Sequence, residues 1–230
     1  MKPRLLLFDI DGTILDCGGA GFGALKAGLI ATFDLHDRAH EMPELQLAGA
    51  TDAAITRQLF AAFEIEDTPE HRERFFSAYI DELGQGFAAN GREARLLPGA
   101  QQLLEQSANE ENVHLGLLTG NIERGARIKL GHFDLDHHFE FGAFGDDAEH
   151  RNLLGPIALE RAQLHANVSF EPHHAIVIGD TPRDIDCARA AGMKVVAVAT
   201  GHYSREQLAE HEPDALVESL EGYEFNELFD

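Results

Sequence analysis

The sequence is poor in positive charge and in cysteine. Its 230 residues hold 18 lysines and arginines against 40 aspartates and glutamates, a formal net charge of -22. Nucleic acids and anionic membranes are bound through basic surfaces, so this balance argues against both as partners. The two cysteines, Cys17 and Cys187, are far apart and fit no metal or redox spacing. We therefore expect two reduced thiols in a cytoplasmic protein.

Long apolar runs are missing as well. No run approaches the roughly 20 residues that a membrane-spanning helix needs. The apolar start of the chain is broken by Asp9, which is not the pattern of a signal peptide. There is no internal repeat and no low-complexity tract, while 44% of the residues are apolar. These features predict a soluble protein with a substantial core.

Short apolar runs alternate with helical patterns along most of the chain. The runs are RLLLFDI at 4–10, VHLGLLTG at 113–120, HAIVIGD at 174–180, KVVAVATG at 194–201 and, more weakly, FEFGAFG at 139–145. Helical patterns cover 100–109, 122–130, 153–165 and 184–191. Strands that are apolar throughout and alternate with helices predict a parallel sheet covered on both faces, which is a doubly wound α/β core.

Residues 16–95 interrupt this alternation. They contain only helical patterns, such as DAAITRQLFAAF and PEHRERFFSAYIDELGQGF, and are too long for a simple crossover. We therefore predict a helical domain at 16–95, inserted into a core formed by 1–15 and 96–230. The tail EPDALVESLEGYEFNELF predicts one more short strand and a closing helix.

Polar residues follow the predicted strands at their carboxyl ends, where open α/β sheets bind ligands. They are Asp9, Asp11, Gly12 and Thr13 after the first strand, Thr119, Gly120 and Asn121 after the second, Arg151 after the weak run, and Gly179, Asp180 and Asp184 after the fourth. Carboxylates this close would repel one another. Mg²⁺ resolves the conflict because it takes oxygen ligands and often binds one or two carboxylates together with a substrate phosphate. Asp9 and Asp180 can supply such oxygens, with Asp184 as a third candidate.

The same residues suit phosphoryl transfer. Asp9 is a carboxylate nucleophile that can form an aspartyl-phosphate. Asp11 can ligate metal through its backbone carbonyl, which leaves its side chain free to act as general acid and base. Thr119, Gly120, Asn121 and Arg151 would then hold the phosphate oxygens; they are our candidate phosphate-binding residues.

Two cations compete for the place beside Asp9. Lys129 lies ten residues past Thr119 on a helix that leaves the site, so we expect it on the order of 10 Å or more from the catalytic edge. Arg151 follows the weak strand and stays charged at any working pH. We therefore assign the phosphate-pairing role to Arg151 and none to Lys129.

Three motifs, FDIDGTIL, LLTGN and IGDTPRD, resemble in this order the signature motifs of the haloacid dehalogenase-like (HAD) superfamily. The helical insertion resembles the cap of its phosphoglycolate phosphatase and β-phosphoglucomutase branch. The resemblance implies a Rossmann-like HAD core with Asp9 as nucleophile, Asp11 as acid and base, Asp180 as magnesium ligand and Asp184 holding metal-bound water. Dehalogenases lack the second aspartate, so Asp11 argues against dehalogenation. Arg151 stands where the family usually has a lysine.

Two stretches of the insertion invite a functional reading. In cap-bearing relatives a loop at the place of AGATDAA, 48–54, faces the active site. Gly49, Thr51 and Asp52 are therefore candidate substrate contacts, although the stretch also reads as a helix N-cap. The glycine-rich DCGGAGFGAL, 16–25, predicts a hinge for cap motion in preference to a phosphate-binding loop.

These observations predict a Mg²⁺-dependent phosphatase that acts on a small phosphorylated metabolite of the phosphoglycolate type through an aspartyl-phosphate. One alternative is a phosphosugar mutase of the β-phosphoglucomutase type, which returns the phosphoryl group to a substrate. A non-catalytic binding protein that keeps the fold is a third reading, which the full set of catalytic residue types disfavours.

Overall fold

The computed structural model describes residues 2–90 and 93–223. Its strands are β1 (Arg4–Phe8), β2 (Leu15–Asp16), β3 (Arg95–Leu96), β4 (Val113–Leu118), β5 (Gly142–Ala143), β6 (Ala175–Gly179), β7 (Lys194–Val198) and β8 (Ala215–Val217). Its α-helices are α1 (Ala20–Phe33), α2 (Asp52–Ala62), α3 (Pro69–Asn90), α4 (Ala100–Ala108), α5 (Glu123–Gly131), α6 (Leu154–Ala166), α7 (Pro182–Ala190) and α8 (Arg205–Ala209).

Six strands form one parallel sheet in the order β5-β4-β1-β6-β7-β8. Strand β1 lies between its neighbours with Leu6 opposite Leu115 of β4 and Ile176 of β6. The chain builds outward from β1 in one direction and then returns to build from β6 in the other. This reversal opens a crevice beyond the carboxyl ends of β1 and β6. The predicted doubly wound α/β core is confirmed.

Both faces of the sheet are covered, which explains why its strands are apolar throughout. On one face Leu6 and Phe8 join a buried cluster with Leu103 of α4 and Leu130 of α5. On the other face Leu5 and Leu7 pack with residues of the opposite helix layer, among them Ala158, Ala162, Ile185 and Ala188 from α6 and α7.

Helices α1, α2 and α3, which lie between β2 and β3 along the chain, share a hydrophobic cluster that also includes Ile122 at the start of α5. Leu29, Phe60, Phe75 and Tyr79 are buried in it. Close packing of α1 on α3 requires a glycine, because a Cβ on Gly28 would lie 2.8 Å from the Tyr79 nitrogen.

An antiparallel ladder closes the insertion at its base. It pairs Leu15 with Leu96 and Asp16 with Arg95, and Arg95 also forms a 3.0 Å ion pair with Asp16. The ladder lies at the predicted limits 16 and 95, and the division into core and cap domains stays a prediction.

The remaining elements differ from the sequence predictions in extent and by one added helix. The weak run at 139–145 yields the two-residue edge strand β5, and α8 is an additional short helix. The short strand predicted in the tail is β8, whereas residues 224–230, where we predicted the closing helix, lie outside the described residues. No helix within the described ranges is long and apolar enough to cross a membrane.

Candidate active site

Three buried carboxylates meet in the crevice beyond β1 and β6. Asp9 follows β1, Asp180 follows β6, and Asp184 lies in the first turn of α7. One oxygen of each lies within 4.8 Å of the others, and the three residues are at most 4% exposed. Strands β1 and β6 are neighbours in the sheet, so their carboxyl ends bring together residues that are 171 positions apart in the sequence (Asp9 to Asp180).

The turn after Asp9 is shaped around Asp180. Gly12 has a φ of 84°, and a Cβ at this position would collide with the Asp180 carboxylate. The Thr13 hydroxyl donates a 3.3 Å hydrogen bond to Asp180 Oδ1, and the Thr200 hydroxyl donates to the Gly12 carbonyl at 2.6 Å. The glycine and threonine of the D-x-D-G-T motif thus allow the two strand ends to approach.

Arg151 reaches the carboxylates from a short 3₁₀ turn before α6. Its Nη2 lies 3.2 Å from Asp9 Oδ2 and 2.5 Å from Asp184 Oδ1. Asp184 Oδ2 accepts hydrogen bonds from the backbone N–H and the hydroxyl of Thr181, at 3.0 and 2.7 Å. Both oxygens of Asp184 are therefore engaged, which suits a residue that orients Arg151 and contacts a metal ion through water.

The carboxylates carry more negative charge than one guanidinium can offset. Burial raises the pKa of Asp9 to about 6, although Arg151 opposes the shift. Burial, followed by the neighbouring Asp184 and Asp9, raises the pKa of Asp180 well above its usual range. A cation with a preference for oxygen ligands would relieve this strain, and the donor set fits Mg²⁺.

Asp11 has its own hydrogen-bond partners, Lys129 and Asn121. Its two carboxylate oxygens accept hydrogen bonds from Lys129 Nζ at 2.8 and 2.6 Å, and Asn121 Nδ2 donates to Oδ2 at 2.8 Å. Burial would raise the pKa of Asp11, but Lys129 and Asn121 outweigh it and hold that pKa below its usual range.

The expected position of Lys129 is wrong. The sequence predicts a distance on the order of 10 Å or more from the catalytic edge, whereas Lys129 Nζ lies 2.6 Å from Asp11 Oδ2. The rise along the helix from Thr119 overestimates this distance, because helical side chains lean toward the helix N-terminus and a lysine side chain is long. The buried stripe of α5, which runs through Ala126 and Leu130 and includes Lys129, was the signal that could have identified it.

Asn121 connects Asp11 to Thr119. The Thr119 oxygen accepts hydrogen bonds from Asn121 Nδ2 at 2.8 Å and from the Asn121 backbone N–H at 3.3 Å. Among the described residues, the Thr119 oxygen is the acceptor in both of its hydrogen bonds. The hydroxyl proton of Thr119 is thereby left for donation to another group.

Residues 48–53 of the insertion lie across the strand ends, and we call them the docking segment. Asp52 N donates to the Gly120 carbonyl at 2.7 Å and Ala53 N donates to the Gly145 carbonyl at 3.2 Å. Arg151 Nη1 donates to the Gly49 carbonyl at 3.2 Å. The segment therefore joins the insertion to loops that follow both β4 and β5.

Thr51 and Asp52 make the side-chain contacts of the docking segment. The Thr51 hydroxyl donates to the Glu149 carbonyl at 2.7 Å and accepts a hydrogen bond from Ala54 N as the N-cap of α2. Asp52 Oδ2 accepts a 2.9 Å hydrogen bond from Ile122 N at the start of α5. Burial raises the pKa of Asp52 to about 6. Direct substrate contact by these residues stays a prediction.

A family model of haloacid dehalogenase-like hydrolases matches residues 6–198, which is most of the chain and includes the carboxylate cluster. The chain belongs to the haloacid dehalogenase-like hydrolase family. The HAD assignment drawn from the three motifs is thereby confirmed.

Individual relatives are distant but match over nearly the whole HAD chain. It is 25% identical to phosphoglycolate phosphatase 1 of Pseudomonas aeruginosa, covering 95% of this chain and 77% of the relative. It is 27% identical to the pyrophosphatase PpaX of Anoxybacillus flavithermus, with 96% and 94% covered. A β-phosphoglucomutase structure from Clostridium difficile superposes with a TM-score of 0.68 at 21% identity, covering 99% of this chain and 95% of that one, and shows the shared fold.

Proposed function

We propose that this HAD-like hydrolase is a Mg²⁺-dependent phosphatase that cleaves a small phosphomonoester through an aspartyl-phosphate on Asp9. The observation that carries the proposal is the position of Asp9 in the crevice beyond the carboxyl ends of β1 and β6. Its carboxylate lies beside the Arg151 guanidinium and within 4.8 Å of Asp180 and Asp184. A nucleophile, a cation for phosphate oxygens and a metal-binding carboxylate pair are therefore neighbours.

The carboxylate cluster supports a metal role for particular residues. Asp9 and Asp180 would hold Mg²⁺ directly together with the Asp11 backbone carbonyl, and Asp184 would contact its water. When bound, the ion neutralises charge on the transferring phosphoryl group.

The chain's own residues divide the chemistry into two steps. An Asp9 oxygen attacks phosphorus, the bond from phosphorus to the leaving oxygen breaks, and Asp11 gives that oxygen a proton. Water then attacks the phosphorus and passes a proton to Asp11, and the bond to Asp9 breaks to release inorganic phosphate. Arg151 and the free hydroxyl proton of Thr119 would hold the non-bridging oxygens during both steps.

The names of the relatives support a small phosphorylated substrate, and a phosphorylated acid such as phosphoglycolate is the first candidate. The docking segment is hydrogen-bonded to the loops that follow β4 and β5 and to Arg151, so it limits the space beside Asp9. This geometry supports a compact metabolite and disfavours a large polymer.

A substrate panel tests the proposal. Phosphorylated acids, sugars and nucleotides are incubated with the protein and Mg²⁺, and released inorganic phosphate is measured against Asp9→Asn protein prepared in parallel. We expect multiple-turnover phosphate release from at least one small phosphomonoester. Release no faster than the Asp9→Asn background across the panel would overturn the proposal, and transfer to a second sugar without net release would indicate the mutase.

A further inference from the structure

We propose that Lys129 is a positioning residue that, together with Asn121, holds the Asp11 carboxylate where it transfers a proton to the leaving group. The inference rests on the proposed function, because it assigns Asp11 the role of general acid described above. It gives a task to a residue that no motif contains.

The ammonium group of Lys129 is fully used by this contact. Its three N–H donors meet three acceptors, namely the two oxygens of Asp11 at 2.8 and 2.6 Å and Asn121 Oδ1 at 2.6 Å. The side chain of Lys129 is 4% exposed, whereas that of Asp11 is 39% exposed. A buried cation thus holds the carboxylate while part of the Asp11 side chain stays accessible.

The insertion holds Lys129 in this position. A Cβ on Gly21 of α1 would lie 3.5 Å from Nζ, and the buried Tyr79 of α3 packs its hydroxyl against Gly125, one turn before Lys129. A lysine normally loses much rotamer freedom when it is immobilised. Here the packing of α1 and α3 on α5 has already restricted it, so Asp11 gains a rigid partner.

Asp11 needs such a partner because other groups compete for it. It follows Asp9 by two residues and lies close enough to the carboxylate cluster to add to the rise that burial causes in the pKa of Asp9. Without Lys129, the half-exposed Asp11 side chain could turn toward that cluster or toward water. Bidentate contact with an ammonium restricts it to one orientation.

Asn121 couples this orientation to phosphate binding. Its side-chain oxygen accepts from Lys129, and its nitrogen donates both to Asp11 and to the Thr119 hydroxyl. The group that protonates the leaving oxygen and the hydroxyl that would hold the phosphate are therefore held by one amide. This arrangement positions both relative to the same phosphorus atom.

Comparing leaving groups separates positioning of an acid from a general structural effect. An alkyl phosphate needs a proton on its leaving oxygen, whereas 4-nitrophenyl phosphate releases a stable anion and does not. We would measure kcat/KM for both substrates, because this constant reports the steps up to and including transfer to Asp9. Lys129→Met, which keeps the apolar stem and removes the charge, is compared with Lys194→Met at the opposite, amino-terminal edge of the sheet.

We expect Lys129→Met to lose about 10- to 100-fold in kcat/KM on the alkyl phosphate, within the contribution of a positioned acid, and only a few-fold on 4-nitrophenyl phosphate. Lys194→Met should match wild type on both. An equal loss on the two substrates, or no loss on either, would overturn the inference. Failure of the wild-type protein to cleave either substrate would instead refute the proposed function and the inference with it.

A double variant keeps the test decisive if Lys129→Met folds poorly. Asp11→Asn combined with Lys129→Met carries no unpaired charge at this place. Because Lys129 acts through Asp11, the double variant should show the same residual kcat/KM on 4-nitrophenyl phosphate as Asp11→Asn alone. A further loss of tenfold or more would show that Lys129 acts on the reaction by another route.

Discussion

At the scale of single residues, two of the three buried carboxylates in the crevice share one guanidinium. Arg151 Nη2 contacts both Asp9 and Asp184, while Asp180 receives a hydrogen bond only from the Thr13 hydroxyl among the described side chains. The pKa values of Asp9 and Asp180 are both raised. Ionisation of Asp9 and of Asp180 is thus unfavourable without a further cation. Substitutions that change the charge of the site, and removal of the metal ion, therefore test its function.

Asp9→Asn should abolish turnover and leave the fold intact. An amide cannot attack phosphorus, and it is a poor magnesium ligand. Since the substitution removes one buried negative charge from a crowded cluster, we expect the Tm to stay equal to or rise above that of wild type. Phosphate release and thermal unfolding are measured on the same preparation; substantial activity in verified Asp9→Asn protein would refute the nucleophile assignment.

Arg151→Ala should lose about 2–4 kcal/mol of transition-state stabilisation, by analogy with removal of one oxyanion-hole donor. The substitution leaves Asp9 and Asp184 without their shared cation. Arg151→Lys should recover part of kcat/KM, because a lysine restores the charge without the two-pronged contact. Arg205→Ala is the control, because Arg205 contacts the Leu216 carbonyl and Glu218 and none of the three carboxylates. An Arg151→Ala variant as active as this control would contradict the assignment.

Metal dependence should follow the carboxylates. EDTA should stop phosphate release and Mg²⁺ should restore it, while Ca²⁺ should bind and support little turnover because it takes more oxygens in a looser geometry. Asp180→Asn should weaken Mg²⁺ binding in calorimetric titrations. Full activity in chelator, or unchanged Mg²⁺ affinity in Asp180→Asn protein, would show that the cluster is not the metal site.

At the scale of secondary-structure elements, the docking segment is one of the places where the helical insertion contacts the loops that follow the sheet. Its backbone N–H groups donate hydrogen bonds to the Gly120 and Gly145 carbonyls. The Asp52 carboxylate accepts a hydrogen bond from the backbone N–H of Ile122, the N-cap residue of α5. A carboxylate at a helix N-terminus is favourable, yet burial outweighs this and raises the pKa of Asp52 to about 6. The contribution of this contact to the free energy of unfolding therefore depends on pH.

The sign of this dependence follows from the direction of the shift. Well below pH 3.8, the ordinary pKa of an aspartate, Asp52 is protonated in the folded and unfolded states alike. As pH rises from 3.8 to about 6, the unfolded chain ionises this carboxyl while the buried group in the folded state stays protonated, so stability is lost across this range. Asp52→Asn should therefore match wild type near pH 3 and exceed its unfolding free energy at pH 7.5 by up to about 3 kcal/mol.

Urea unfolding at the two pH values measures this difference. Asp81→Asn, which changes an exposed carboxylate on α3, is the control and should show no such pH-dependent gain. A wild-type protein that is equally or more stable than Asp52→Asn at pH 7.5 would contradict the account of the docking segment.

At the scale of the whole molecule, a chain with a formal net charge of -22 must admit an anionic substrate. Long-range repulsion slows the approach of a phosphate ester, while the buried Arg151 acts only at short range. Salt screens the first effect far more than the second, because the Debye length falls from about 30 Å at 0.01 M to about 8 Å at 0.15 M ionic strength.

We therefore expect kcat/KM to rise with ionic strength over this range at fixed free Mg²⁺, with kcat nearly constant. Initial rates in sodium chloride against the same series in a neutral osmolyte measure the effect. A kcat/KM that falls steadily with added salt would mean that a local positive field governs substrate approach.

The sequence by itself determined the fold class, the family and the residues that follow each strand. Alternating apolar runs and helical patterns suffice for this, because a strand buried on both faces and a crossover helix leave strong local patterns. The motifs also marked Asp9, Asp180 and Asp184, since parallel strands deliver their carboxyl ends to one edge. Only the tertiary structure decided which partners these groups and their neighbours meet. It set Lys129 against Asp11 and laid Asp52 on the start of α5, because such contacts depend on the direction of a side chain and on how an inserted element packs, and neither is encoded in spacing along the chain.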